Sequence, residues 1–177
     1  MKILVTLIVL LVLVVVIGLA GMYSGAYNVS TSNHDNSLVN WALDNGMVHS
    51  VQKHARNITA PPLTDSAMVE MGFRHYDEMC VGCHGAPGIK PGDIAHGLWP
   101  EAPDLAESAP EWTPAQIYWI IRNGLKFSSM PAWGPTHSDK ELWAMTAFVT
   151  KLPHLSAAEY KAMQVRAAAS PPAMLMH

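Results

Sequence analysis

Cys80-Val81-Gly82-Cys83-His84 decides how this chain is read. It holds both cysteines of the 177-residue sequence and sets one of nine histidines directly after the second. Two thiols at that spacing can add across the two vinyl groups of one porphyrin, and the adjacent imidazole then falls under the iron as an axial ligand. Other chemistries fit less well. A structural zinc site generally takes four protein ligands, and there is no third cysteine and no second His pair at finger-like spacing. A thioredoxin-like dithiol would follow a strand in a βαβ pattern, whereas the residues before Cys80 read as helix. A disulfide between Cys80 and Cys83 would close too short a loop to stabilise much. The stretch therefore predicts one covalently attached haem c, held by Cys80 and Cys83 with His84 on its iron. A second haem would need another such motif, and the sequence has none.

Iron with one histidine ligand needs a sixth ligand or an open position, and the choice separates electron transfer from gas or peroxide chemistry. Eleven methionines make the residue type uninformative by itself, since most methionines fill gaps in cores. Met130 differs because it lies in Gly124-Leu125-Lys126-Phe127-Ser128-Ser129-Met130-Pro131-Ala132-Trp133-Gly134, bounded by glycines and broken by proline. Such a segment reads as a loop, and enough chain separates it from His84 to reach the opposite face of a haem. A thioether there would favour ferrous iron and keep the site closed. Met130 is the expected second iron ligand, with packing as its alternative role.

On these residues the segment 66–153 resembles a class I cytochrome c. Cys80 to His84 followed by Gly85-Ala86-Pro87-Gly88 is similar to that family's attachment loop, and Asn123-Gly124 to Met130-Pro131 to its methionine loop. Gly72 with Tyr76 resembles its first helix, and Ala147-Phe148-Val149 with Leu152 its last. The resemblance implies an all-α fold, a single His/Met-ligated haem c with its iron, and attachment on the outer side of a bacterial inner membrane. It covers about half of the chain and says nothing by itself about partners.

Residues 3–20 are almost wholly apolar, and the run continues to Tyr23, about the length that crosses a bilayer core. Lys2 is on its short side and the next basic residue is Lys53, so the positive-inside bias puts the amino terminus in the cytoplasm. A retained single-pass anchor is expected. A cleaved signal peptide is the competing reading, with small residues around Ala20 and Ala26, although signal apolar regions run shorter. Net charge is −3, and no basic patch with interleaved aromatics suggests nucleic acid. Asp93, Glu101, Asp104, Glu107 and Glu111 follow one another without a Lys or Arg. They read as a solvated loop, or as an acidic flank that steers a basic partner.

The expected organisation is an anchor (1–23), a tether with a juxtamembrane amphipathic helix (24–64), the haem domain (65–155), and a C-terminal helix and tail (156–177). Leu38, Trp41, Ala42, Val48, Val51, Ala55 and Ile58 give the juxtamembrane helix a stripe expected to dock on the haem domain. Thr113-Pro114-Ala115-Gln116 and Ser138-Asp139-Lys140-Glu141 are capping boxes that predict helix starts. Gly72 is expected to let another helix approach closely. A proline carbonyl in the loop from 85 to 110, Pro103 for preference, is expected to accept from His84 Nδ1 and fix the ring. Trp133 reads equally as a haem-edge cover or a core residue. His34, His49, His54, His75, His96, His137 and His154 read as surface or packing residues, Ser156 as the start of a short outer helix, and 170–177 as disordered.

The function expected is a one-electron carrier tethered at the periplasmic face, passing electrons between a redox donor and acceptor that include membrane complexes. With both axial positions filled, independent catalysis is not expected. The alternatives are a permanent electron-transfer subunit of a periplasmic dehydrogenase or respiratory complex, and a haem sensor or peroxidase-like protein in which Met130 is displaced.

Overall fold

The structure is a computed structural model that describes residues 1–33 and 37–169. Contacts divide the chain after residue 34 into two units. The first is α1 (Lys2–Tyr23), apolar and exposed around its whole circumference. Between Lys2 and the terminal Tyr23 its one polar side chain, Thr6, turns its hydroxyl back to the Lys2 carbonyl at 3.0 Å. A helix of this length with no buried face is suited to lipid.

The second unit is helical, with no strand among the described residues. It contains α2 (Ser37–Ala55), α3 (Ser66–His75), a π-helical turn (Tyr76–Cys80), α4 (Val81–His84), α5 (Leu105–Ser108), α6 (Pro114–Asn123), α7 (Asp139–Lys151) and α8 (Ala157–Ala169). Short 3₁₀ turns at Asp93–Gly97, Ala109–Glu111 and Leu152–His154 break the connections. The loop after Gly85 is therefore less irregular than its prolines suggest.

Helix starts follow local chemistry. Asp65 caps α3 by accepting from the Ala67 amide at 3.1 Å. Both predicted capping boxes are closed, at Thr113 with Gln116 and at Ser138 with Glu141. Ser156 and Glu159 form the same reciprocal pair ahead of α8.

The core is the crossing of α3 with α7, extended by α6 and α8. Phe73, Tyr76, Phe148 and Tyr160 meet through their ring edges, with centroids 5.1–5.4 Å apart around Phe73 and Tyr76, and Leu142, Met145 and Leu152 fill around them. Gly72 makes the crossing possible, as expected, because α7 backbone occupies the space a side chain would need.

Two expectations need correction. The stripe of α2 docks only in its C-terminal half. Val51 and Ala55 are buried and His54 stacks on Trp119 of α6 at 5.5 Å, while Leu38 and Trp41 remain 72% and 63% exposed. The helix runs unbroken through Asn45-Gly46. Nor is α8 an outer helix, since Tyr160 and Met163 are in the core. The expected disordered end falls on 170–177, and the close of the tether with His34 on 34–36, outside the described residues.

Candidate haem-binding site

The π-helical turn Tyr76–Cys80 leads directly into the motif. Such turns insert one residue into a helix and recur at functional sites because they re-aim the side chains that follow. Here Cys80 ends the turn, and Cys83 and His84 lie on the short α4 that continues from it. Asp77, inside the turn, accepts from Tyr160 Oη and Gln164 Nε2 at 2.9 Å each, which ties α8 to the base of the motif.

Gly85 stops α4 at φ +67, a left-handed conformation open to glycine at little cost. A Cβ there would lie 2.8 Å from the Ile89 carbonyl. Two further bonds fix the turn after His84. Buried Tyr76 Oη donates to the Gly85 carbonyl at 2.7 Å, and the Gly92 amide donates to the Gly82 carbonyl at 2.9 Å.

His84 Nδ1 lies 2.8 Å from the Pro103 carbonyl. A carbonyl only accepts, so Nδ1 carries the proton and Nε2 keeps its lone pair. Burial lowers the affinity of His84 for a second proton, outweighing the Pro103 bond and the Asp104 carboxylate, which leaves a neutral imidazole ready to ligate. Pro103 is the proline favoured from sequence. Asp104 next to it caps α5 through the Ala106 amide at 2.8 Å, anchoring the acceptor.

Burial, followed by the neighbouring Cys83, pushes the Cys80 thiol up to about 12. A thiol held neutral is a poor thiolate ligand and a poor redox nucleophile. The pair forms no disulfide. Among the described residues no three His, Cys, Asp or Glu side chains converge as a metal cluster. The donor set is therefore two free cysteine sulfurs, that of Cys80 held as a thiol, and one oriented imidazole on a single turn.

Met130 belongs to a different segment, a loop closed by its own backbone. Gly124 ends α6 at φ +65, where a Cβ would meet Ala132 N at 2.7 Å and Met130 O at 2.8 Å. The Leu125 amide donates to the Met130 carbonyl at 3.2 Å, Ser128 Oγ to the Leu125 carbonyl at 2.8 Å, and the Met130 amide to Ser128 Oγ at 3.2 Å. Beyond it, the Trp133 and Gly134 amides donate to the Ile121 and Arg122 carbonyls. Met130 is half-buried, while Phe127 at the loop's tip is 77% exposed with φ +60.

Residues 67–149 match the family model for cytochrome C oxidase, cbb3-type, subunit III. This segment is a cytochrome c domain. Such a domain implies covalently bound haem c and haem-based electron transfer. No curated protein matches the chain. The donor set of the domain fits the haem that the family implies, with sulfurs in the thiol state that thioether formation consumes and an imidazole presenting one free nitrogen.

Reading the sequence misses three parts of this cytochrome c domain. The Tyr76 bond to Gly85, the Asp77 bonds to α8, and the meeting of His75 with His137 each join residues that no local pattern relates. Tyr76 alone carried a signal, through its spacing from Gly72, but as a packing residue.

Proposed function

We propose that the chain is a membrane-tethered electron carrier whose single haem is attached by Cys80 and Cys83 and ligated axially by His84 and Met130. When bound, haem iron supplies a one-electron couple. The protein's residues attach it, orient its imidazole ligand and exclude competing ligands. The observation that carries this reading is the His84–Pro103 bond beside the two free cysteines, because it leaves the Nε2 lone pair available on the turn that holds both sulfurs. The loop around Met130, stapled to α6 by main-chain bonds, suits a ligand that must keep its place in both oxidation states.

Tethering rests on α1, which is long and apolar enough to cross a membrane. The haem domain then works on the periplasmic side of a bacterial inner membrane, in line with the charge bias at Lys2. The test is a haem stain on membranes solubilised in mild detergent. A stained band near the full 19.3 kDa supports the reading, and stained protein only in the soluble fraction overturns the anchor.

A second reading, a permanent subunit of a respiratory complex, is favoured by the exposed Leu38 and Trp41 on α2 and by the match to a model named for an oxidase subunit. Stoichiometric partner bands in the same preparation would select it over a free shuttle.

A further inference from the structure

His75 at the end of α3 and His137 in the turn before α7 meet edge to face, with ring centroids 5.3 Å apart and planes at 76°. His75 Nε2 lies 3.9 Å from Glu141 Oε1 in the first turn of α7. The other Glu141 oxygen accepts from the Ser138 amide and hydroxyl, both at 2.7 Å. That carboxylate is held ionised beside the imidazole pair, because bonds from fixed donors favour the charged form. His137 also sits edge-on to Trp133 at 5.4 Å, with its Nδ1 2.9 Å from Thr136 Oγ1 and 3.3 Å from the Trp133 carbonyl.

The location is what makes the cluster informative. Trp133 is stapled to Ile121 in the same hydrogen-bonded loop as Met130. His75 immediately precedes Tyr76, whose hydroxyl holds the carbonyl next to His84. The cluster thus bridges the two segments that carry the proposed axial ligands. Charged groups act on His75 from every side: His137 from the turn, Glu141 from α7 and Glu78 from the π-helical turn. Burial and the His137 charge lower its proton affinity, in that order of size, and the two carboxylates raise it.

We propose that His75, His137 and Glu141 form a proton-binding site linked to the redox state of the haem. The inference rests on the haem reading above. Glu141 stabilises one proton on the pair and not two, because a second would set like charges at ring contact. When the centre gains one electron from a redox partner, its positive charge falls by one and the site takes up part of a proton from bulk water. On oxidation the electron goes to the acceptor and the proton returns to water. Only an N–H bond forms or breaks.

The test is the midpoint potential of the holoprotein against pH, between about pH 5 and 8, for the wild type, His137→Asn and Glu141→Gln. Imidazole titrations by NMR in both oxidation states accompany it. In the wild type the potential is expected to fall as pH rises through the imidazole range, and the proton affinity of the site to differ roughly threefold or more between oxidation states, as expected for unit charges interacting through protein. His137→Asn flattens that limb, whereas a purely structural role would lower stability and leave the pH profile in place. Glu141→Gln, which keeps an acceptor for Ser138, moves the limb to lower pH and decides the matter if His137→Asn does not fold. The same limb in all three proteins, or imidazoles that titrate alike in both oxidation states, overturns the proposal. A haem stain made beforehand reads the parent proposal separately, and absence of covalent haem overturns both.

Discussion

A Cβ placed on Gly72 would stand 1.9 Å from the Ala144 carbonyl oxygen and 2.9 Å from Phe148 Cβ. α3 and α7 therefore cross at backbone contact, and the first atom of any side chain must force them apart. Overpacking of this kind costs about 1–3 kcal/mol, and rigid main chain on the far side puts Gly72→Ala at the upper end. Denaturant unfolding of the holoprotein measures the loss. An unchanged midpoint would show that the crossing has slack.

Tyr76→Phe keeps the ring among Phe148 and Phe73 but leaves the Gly85 carbonyl without its buried donor. Such an orphaned acceptor costs about 1–3 kcal/mol. Because Gly85 follows His84, the expected result is lower stability together with a shifted midpoint potential. A shift in stability alone would mean that the bond supports the fold without steering the imidazole.

Met130→Ala removes the proposed sixth ligand from a loop that its own backbone closes. The reduced variant is expected to bind carbon monoxide while the reduced wild type stays inert. Rapid binding by the wild type would sink Met130 as a ligand and revive the sensor reading.

Acid should unfold the domain through two identifiable groups. Glu141 is held below the usual carboxylate range by the Ser138 hydroxyl and then the Ser138 amide. His75 is held below 6.5 chiefly by burial. Both bind fewer protons folded than unfolded, so each contributes stability above its unfolded value that is lost as pH falls through its folded one. The melting temperature is expected to decline below about pH 6.5 through His75 and again near pH 4 through Glu141. Ser138→Ala, which keeps the amide donor, should weaken the second step and also cost about 1 kcal/mol at neutral pH for the lost cap. Melting curves across pH for both proteins check this.

What could be read in advance depended on how far a residue's partner lies along the chain. Thr113 with Gln116, Ser138 with Glu141, and the Gly124 stop are complete within one helical turn, so their helices were legible from sequence. Cys80 to His84 were legible as one unit for the same reason, and Pro103 was found because a neighbouring carbonyl that holds the ring is a general need of a ligating histidine. The burial of α8 was not legible. Tyr160 and Met163 reach the core only because α3 and the π-helical turn lie beneath them, and the polar residues between mask the face. Leu38 and Trp41 misled in the opposite direction, since their spacing announces a buried stripe but not where the covering surface ends.

The loop that holds Met130 has one further consequence. Its closure is written almost wholly in main-chain atoms and Ser128, with glycines at 124 and 134 where the backbone must pass. Lys126, Phe127 and Ser129 face outward, and none of these closing bonds uses them. Placement of the proposed ligand and outward chemistry are thus separable in this stretch. Evolution, or an engineer, is free to exchange the tip for another charge or shape and so redirect the choice of electron partner, with coordination left as it is.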